Sequence, residues 1–449
     1  MMNTKSTRTF IDTGKYQKIS SDILHEAKRQ GATQTELVIA LDKGFSVSAR
    51  EGDVETVEYH QDKSIEISVL FGKRSGSASI SDLRPEAIKS AVEAACHIAK
   101  FTDEDPAAGL AEKDELAFNY PHLEMNYHWP ISVADAIELA CRCESEALAV
   151  DKRIISAEEI RITTMEAFYL YANSNGFMGS YPHSRHEISC VLIAKQKEEM
   201  QRNYAYSIAA DPHQLESVTH IAKEAAKRTV DRLGARKIPT MKTPVIFHAE
   251  EARGLLGHFL AAVSGGNLYR KSSFLLDHLD KKIFPNFMHM QEQPHLERAL
   301  GTAPFDDEGV ATRDNIFIED GVLRNYILGV YSARKLDMKT TGNAGGVRNL
   351  IVKTGNKNLR DLLKTMDRGL LVTEIMGNGV NIVTGDYSRG VGGYWVENGE
   401  IQYPVQEITI AGKLQDIYAG IQEIGSDVDV RGNIRTGSIL IDEMMVAGS

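Results

Sequence analysis

Cysteine is scarce in this chain of 449 residues: there are four thiols, Cys96, Cys141, Cys143 and Cys190, and none beyond position 190. Cys141 and Cys143 stand two apart on an expected helix and face nearly opposite sides, which excludes a CxxC redox pair and a zinc knuckle. A few scattered thiols suit packing in a reducing cytosol better than a disulfide scaffold. Long apolar runs are also missing. No stretch reaches the ~18 residues needed to cross a bilayer, and Met1-Met2-Asn3-Thr4-Lys5-Ser6 has no apolar segment behind its positive charge, so no signal peptide is expected. Positive charge is in deficit, with 51 Lys and Arg against 62 Asp and Glu and a formal net charge of −11. Broad nucleic-acid binding needs clustered cations that displace counterions, so no direct nucleic-acid contact is expected. The expectation is a soluble cytoplasmic protein.

The apolar fraction of 42% is ordinary for globular chains, and the length allows two or three cores. Ile19, Ile23, Leu24 and Ala27 share a helical face that ends near Gly31. Strands are expected at Glu36 to Leu41, Phe45 to Arg50, Val54 to Tyr59 and Ser64 to Phe71, with turns at Lys43-Gly44 and Gly52-Asp53. A helix should run from Pro85 to about Lys100, with proline in its first turn. The acidic, proline-broken stretch from Thr102 to Pro130 reads as a boundary. Ser132 and Asp135 then form a capping arrangement for a helix reaching about Val150.

Asn175-Gly176 marks a hairpin, and a further helix is expected from Leu215 to Leu233. Beyond a linker, Asp320-Gly321 and Asn398-Gly399 separate paired strand-like runs. The expected class is α+β. It comprises an N-terminal region (1–105), a middle region (130–234), both of helices on antiparallel sheet, and a β-rich C-terminal region (240–449). The last should be a large antiparallel sheet or partly closed barrel.

The chemistry-bearing stretch follows the apolar run Val245-Ile246-Phe247. It reads His248-Ala249-Glu250-Glu251-Ala252-Arg253, with His258 further on. A strand leading into a helix that opens with His and acids is how many zinc peptidases build their site. Here the spacing fails: His248 and His258 would lie ~15 Å apart along the axis and roughly 80° apart around it. The two carboxylates beside the helix start are stabilising there without any catalysis.

His183 and His186 fall on a strand, where residues three apart face opposite sides. His278, His289 and His295 lie in an expected loop. The glycine-bearing stretches Thr340 to Gly346 and Gly390 to Gly393 lack the Gly-Lys-Ser/Thr ending of a P-loop and the strand-GxGxxG-helix context of a dinucleotide site. They read as tight turns or close backbone packing.

Taken together, several stretches resemble the TldD/TldE family, also called modulators of DNA gyrase, and within it the TldE or PmbA type. The carrying residues are Glu51 to Glu58, Gly76 to Ser79, Ala172 to Phe177, Arg270 to Phe274, Thr341 to Gly346, Asn398 to Glu400 and Met445 to Gly448. The resemblance covers nearly the whole chain. It implies a heteromeric zinc-dependent peptidase of two homologous subunits, in which the TldD type carries an HExxxH helix and a cysteine near its C-terminus.

That motif falls on His248 to Arg253. His248 matches the first ligand, Ala249 stands where the catalytic glutamate would be, and Arg253 stands where the second histidine would be. Glu250 is one position displaced, which turns it ~100° away around a helix. The cysteine has no counterpart. The resemblance therefore implies no metal or cofactor and no catalytic residue in this chain. Zinc is expected in a TldD-type partner, with extended or unfolded peptides as substrates and a homodimer as the alternative assembly. Two other functions compete: an autonomous peptidase using His248 with His278, His289 or His295, and a binding module acting on gyrase or its inhibitors.

Overall fold

The computed structural model describes residues 11–448. Helix α1 (Thr13–Arg29) starts where Asp12 accepts from the Lys15 amide, and the chain leaves it through Gly31 at positive φ. Strands β1 (Gln34–Arg50), β2 (Asp53–Phe71) and β3 (Arg74–Ile80) follow, then α2 (Pro85–Phe101) and α3 (Val133–Leu148). A reciprocal Ser132–Asp135 capping box opens α3, as expected. Strands β4 (Ile154–Asn173), β5 (Met178–Gln196) and β6 (Glu199–Ala209) and helix α4 (Val218–Asp231) complete this half.

The six strands form one sheet in the order β3-β2-β1-β4-β5-β6. Two sequence expectations change here. The turn at Lys43-Gly44 is absent, and β1 runs straight through it. Gly44 serves close approach instead, since a Cβ there would lie 2.0 Å from the Thr164 carbonyl on β4. The break in β2 between Tyr59 and Ser64 is absent too, because both halves pair continuously with β1.

The stretch from Thr102 to Pro130 joins two halves of one sheet, because β1 pairs with β4 from Glu36↔Asn173 to Ala49↔Ile160. One face of this sheet is packed with apolar side chains under the helices. Ile39, Ile65, Val92 and Leu170 meet there near α1 and α2, and Ile160, Leu192, Ala140 and Ala222 near α3 and α4.

The C-terminal half begins with β7 (Met241–Phe247), α5 (Ala249–Ala262) and α6 (Gly265–Tyr269). Next come β8 (Met290–Glu292), β9 (Asn315–Glu319), β10 (Val322–Leu323), helix α7 (Val330–Lys335) and β11 (Leu350–Val352), the four strands of which belong to one small sheet. Then come α8 (Leu359–Met366), β12 (Gly369–Met376), β13 (Val380–Asn381), β14 (Asp386–Glu397) and β15 (Glu400–Lys413). The chain ends through α9 (Leu414–Ala419), β16 (Ile421–Ile424), β17 (Ile434–Arg435) and β18 (Ile439–Ala447).

Asn398 and Gly399 both take positive φ in the β14–β15 turn, the geometry a two-residue hairpin requires. The strands close on themselves through β12-β7-β18-β15-β14 and the additional β12–β14 pairing. Five strands thus make a closed barrel, in which β7 and β12 run parallel. Helix α5 buries Leu255, Leu256 and Phe259 in the same core as Val372, Val391 and Tyr418. Each such side chain contributes roughly 1.5–3 kcal/mol by leaving water.

Candidate functional site

The barrel strand β7 delivers His248 to the first turn of α5. The His248 amide donates to the Val372 carbonyl at 3.0 Å, which ties the helix start to β12. His248 is the N-cap residue, and its Nδ1 accepts from the Glu250 amide at 3.4 Å. Burial holds this imidazole below its ordinary pKa. Ala249 is buried, and its amide donates to Ser438 Oγ at 3.1 Å. Ser438 in turn donates to Asp427 Oδ2 at 2.6 Å. A strand end, a helix start and the 427–438 loop are therefore stitched together at one point.

Beside it lies a ladder of alternating charge. Glu250 receives Arg228 from α4 through two bonds, Nη1–Oε2 at 3.1 Å and Nη2–Oε1 at 2.8 Å, and it also pairs with Arg431. Arg431 Nε reaches Asp429 at 2.9 Å, and Asp429 reaches Arg253 Nε at 3.3 Å. Arg253 Nη2 donates to the Tyr206 hydroxyl at 3.0 Å, and the Arg431 guanidinium lies 4.5 Å from the centre of the Tyr206 ring. Burial alone would raise the Glu250 pKa, but Arg228 and Arg431 outweigh it and hold the value at about 2. Among the described residues, Glu251 has no such ion-pair partner. Burial, with Glu250 and Glu374 nearby, pushes it up to about 7.

The donor set does not fit a zinc ion. Arg253, one turn further along α5, has its guanidinium committed to Asp429 and Tyr206, and a cation beside His248 repels a metal. Gly432 makes room for it, since a Cβ at that position would come 2.9 Å from Arg253 Nη1. His248 spends Nδ1 on its own helix. Among the described residues, no three His, Cys, Asp or Glu side chains converge in a way that could hold a metal.

The other histidines stand apart. His258 packs against Tyr387, with ring centres 6.0 Å apart. His186 is buried between Thr164 Oγ1 at 2.9 Å and the Tyr127 carbonyl at 2.8 Å. His278 Nδ1 lies 2.6 Å from the Leu276 carbonyl, and His295 Nε2 lies 3.0 Å from Thr312 Oγ1. His289 uses its carbonyl to accept from Lys353. The glycine stretches serve packing: a Cβ on Gly345 would meet Asp307 at 2.0 Å, and one on Gly393 would meet the Leu371 carbonyl at 1.9 Å.

Two cavities open on either side of His248 and Glu250. One, of about 470 Å³, is lined by Lys227, Asp231, Leu371, Tyr394, Ile401 and Tyr403 beside those two residues. The other, of about 420 Å³, is lined by Tyr206, His220, Asp427, Val428 and Val430. Sequence reading singled out His248, Ala249 and Arg253, and the fold places all three at this junction. It missed Arg228, Asp427, Asp429, Arg431 and Ser438, which come from distant segments. The alternating run Asp427-Val428-Asp429-Val430-Arg431 was the one local signal of them.

Three domain descriptions match the chain in series: the PmbA/TldA metallopeptidase domain 1 over residues 36–99, its central domain over 126–233 and its C-terminal domain over 240–448. The chain is 47% identical to the metalloprotease PmbA homolog of Haemophilus influenzae, over 94% of each chain. It is 45% identical to the metalloprotease PmbA of Escherichia coli O157:H7, over 95% of this chain and 94% of that one. A crystal structure from Bacteroides thetaiotaomicron, of a protein named for modulation of DNA gyrase, superposes with a TM-score of 0.92. It is 25% identical over 98% of this chain and all of that one. TldD-type and TldE-type relatives both occur among the similar proteins. The chain belongs to the PmbA/TldD metallopeptidase family.

Proposed function

We propose that this chain is the non-metal subunit of a heteromeric TldD/TldE-type zinc metallopeptidase that processes or degrades short or unfolded peptides. Arg253 carries the reading. A guanidinium in an ion pair with Asp429, where a zinc site needs an imidazole, makes the helix a structural element rather than a metal holder. Ala249 offers no carboxylate to take a proton from water. The family's chemistry must then come from a TldD-type chain, with zinc bound there.

In this reading the present chain shapes the chamber around that foreign site. The cavity beside His248 suits a peptide: Tyr394, Tyr403 and Ile401 offer apolar surface, while Lys227 and Asp231 offer charge. An extended peptide held through its backbone would be bound with little sequence preference.

Co-expression with the TldD-type chain of the same organism tests this. The mixture should cleave unfolded peptides in a chelator-sensitive way, and this chain alone should not. Equal activity from the TldD-type chain by itself would remove the requirement for a companion. Robust cleavage by this chain alone would overturn the reading.

A further inference from the structure

The second cavity beside His248, of about 420 Å³, holds negative charge that the chain does not neutralise. Five carboxylates line it against two guanidiniums. Three of the five are spent inside the chain: Glu224 and Glu250 on Arg228, and Asp429 on Arg431 and Arg253. Asp427 and Glu216 are left. Asp427 accepts from the Ser438 amide at 3.2 Å and from its hydroxyl at 2.6 Å, and it has no cationic partner among the described residues. Those bonds fix the carboxylate and take one lone pair on each oxygen, which leaves the other free. Glu216 reaches the His220 imidazole at 3.6 Å, and its side chain is otherwise open to water.

The same cavity carries apolar surface. Val428 and Val430 line it while 39% and 52% exposed, and Ile208 stands with them. Uncommitted carboxylates beside apolar side chains exclude an anion and suit a cation carried on a carbon stem. A bare metal ion does not match, since among the described residues no three His, Cys, Asp or Glu side chains converge to hold one.

We infer that this cavity is a specificity pocket for a lysine or arginine side chain of a bound peptide. The ammonium or guanidinium pairs with Asp427, Glu216 adds a second negative charge, and the methylenes lie on Val428 and Val430. The inference rests on the peptide-binding reading above and deepens it. The cavity proposed to hold the peptide shares Arg228, His248 and Glu250 with this one, so a peptide lying in the first passes beside the second. Backbone contacts stay indifferent to sequence, and the preference arises at one position.

Fluorescence anisotropy of the full chain tests this, with an N-acetylated, coumarin-labelled peptide of alanine, serine and glycine carrying one central lysine. That peptide should bind roughly tenfold tighter than the same peptide with norleucine, which keeps the stem and lacks the charge. Arginine should serve as well as lysine. Asp427→Asn should bring the lysine-to-norleucine ratio close to one and leave norleucine affinity unchanged, whereas a merely structural loss would weaken both peptides. Glu216→Gln spares the Ser438 contacts and should lower the ratio about threefold.

Equal affinity for the two peptides, or no binding of the lysine peptide by about 1 mM, would overturn the inference. So would a ratio that survives both substitutions, or one that falls with Asp231→Asn in the first cavity instead. The assay needs neither zinc nor a TldD-type chain. Its failure therefore leaves the peptidase reading standing, and failure of the co-expression assay leaves a measured preference standing.

Discussion

Arg228 on α4 grips Glu250 on α5 with two hydrogen bonds, at 3.1 and 2.8 Å, and so fastens the N-terminal sheet unit to the barrel. Both partners are drawn from water, yet each keeps a second opposite charge: Glu224 for Arg228 and Arg431 for Glu250. The pair is thus part of a chain of charges rather than an isolated bridge, which offsets the desolvation a buried ion pair suffers. Glu250→Gln should lower unfolding stability by about 2 kcal/mol, the range for charge-assisted hydrogen bonds at a buried site. Urea denaturation of the two proteins at neutral pH measures it. A difference near zero would mean that the ladder is energetically neutral.

The two neighbouring glutamates titrate in opposite senses. Glu250 is held at about 2, below the ordinary value of 4.5, so its stabilisation is complete above pH 4.5 and is lost as pH falls toward 2. Glu251 is pushed up to about 7, chiefly by burial, so the folded chain keeps a proton that the unfolded chain releases. Stability should therefore fall as pH rises from 4.5 through 7. Glu251→Gln should stabilise the protein above pH 7 by up to about 3 kcal/mol and have no effect below pH 4.5. Thermal or urea unfolding at pH 4.5 and 8 separates the two cases.

Zinc affinity of the isolated chain is a third expectation. With the Arg253 guanidinium paired to Asp429 beside His248 and no cysteine beyond Cys190, elemental analysis after dialysis should find far less than one zinc per chain. His248→Ala should leave that content unchanged. Near-stoichiometric zinc that vanishes with His248→Ala would promote the autonomous peptidase in place of the companion subunit.

Restoring the motif with Ala249→Glu and Arg253→His should fail as a repair. Positions 248 and 253 are five apart, ~140° around a regular α-helix, so two imidazoles there do not converge without a local distortion. Ala249 is buried, and a carboxylate in its place has to be drawn out of water. Removing Arg253 also deprives the buried Asp429 of one of its two cations. The double variant should lose about 2–4 kcal/mol of stability, take up little metal and show negligible peptidase activity alone. Chelator-sensitive turnover by it would contradict this.

Much of the local structure was legible in the sequence because its causes are local. Periodicity, Pro85, the Ser132–Asp135 box and the Asn175-Gly176 and Asn398-Gly399 turns each act within a few residues, and the helices and hairpins they announce are present. The failure at Gly44 has the opposite cause. Its glycine answers to the Thr164 carbonyl, 120 positions along the chain, and read alone it resembles a turn.

The sequence by itself determined that a strand-like run leads into His248, Ala249 and Arg253, that no cysteine follows Cys190, and that the chain is α+β in character. Those are matters of residue identity and short-range period. Tertiary structure alone decided that two regions share one sheet, that five strands close into a barrel, and that Arg253 and Glu250 are held by Asp429, Arg431 and Arg228. Each of these is a pairing across many residues of chain. No period or spacing encodes it, because the hydrogen bond or ion pair exists only once the fold has brought its two ends together.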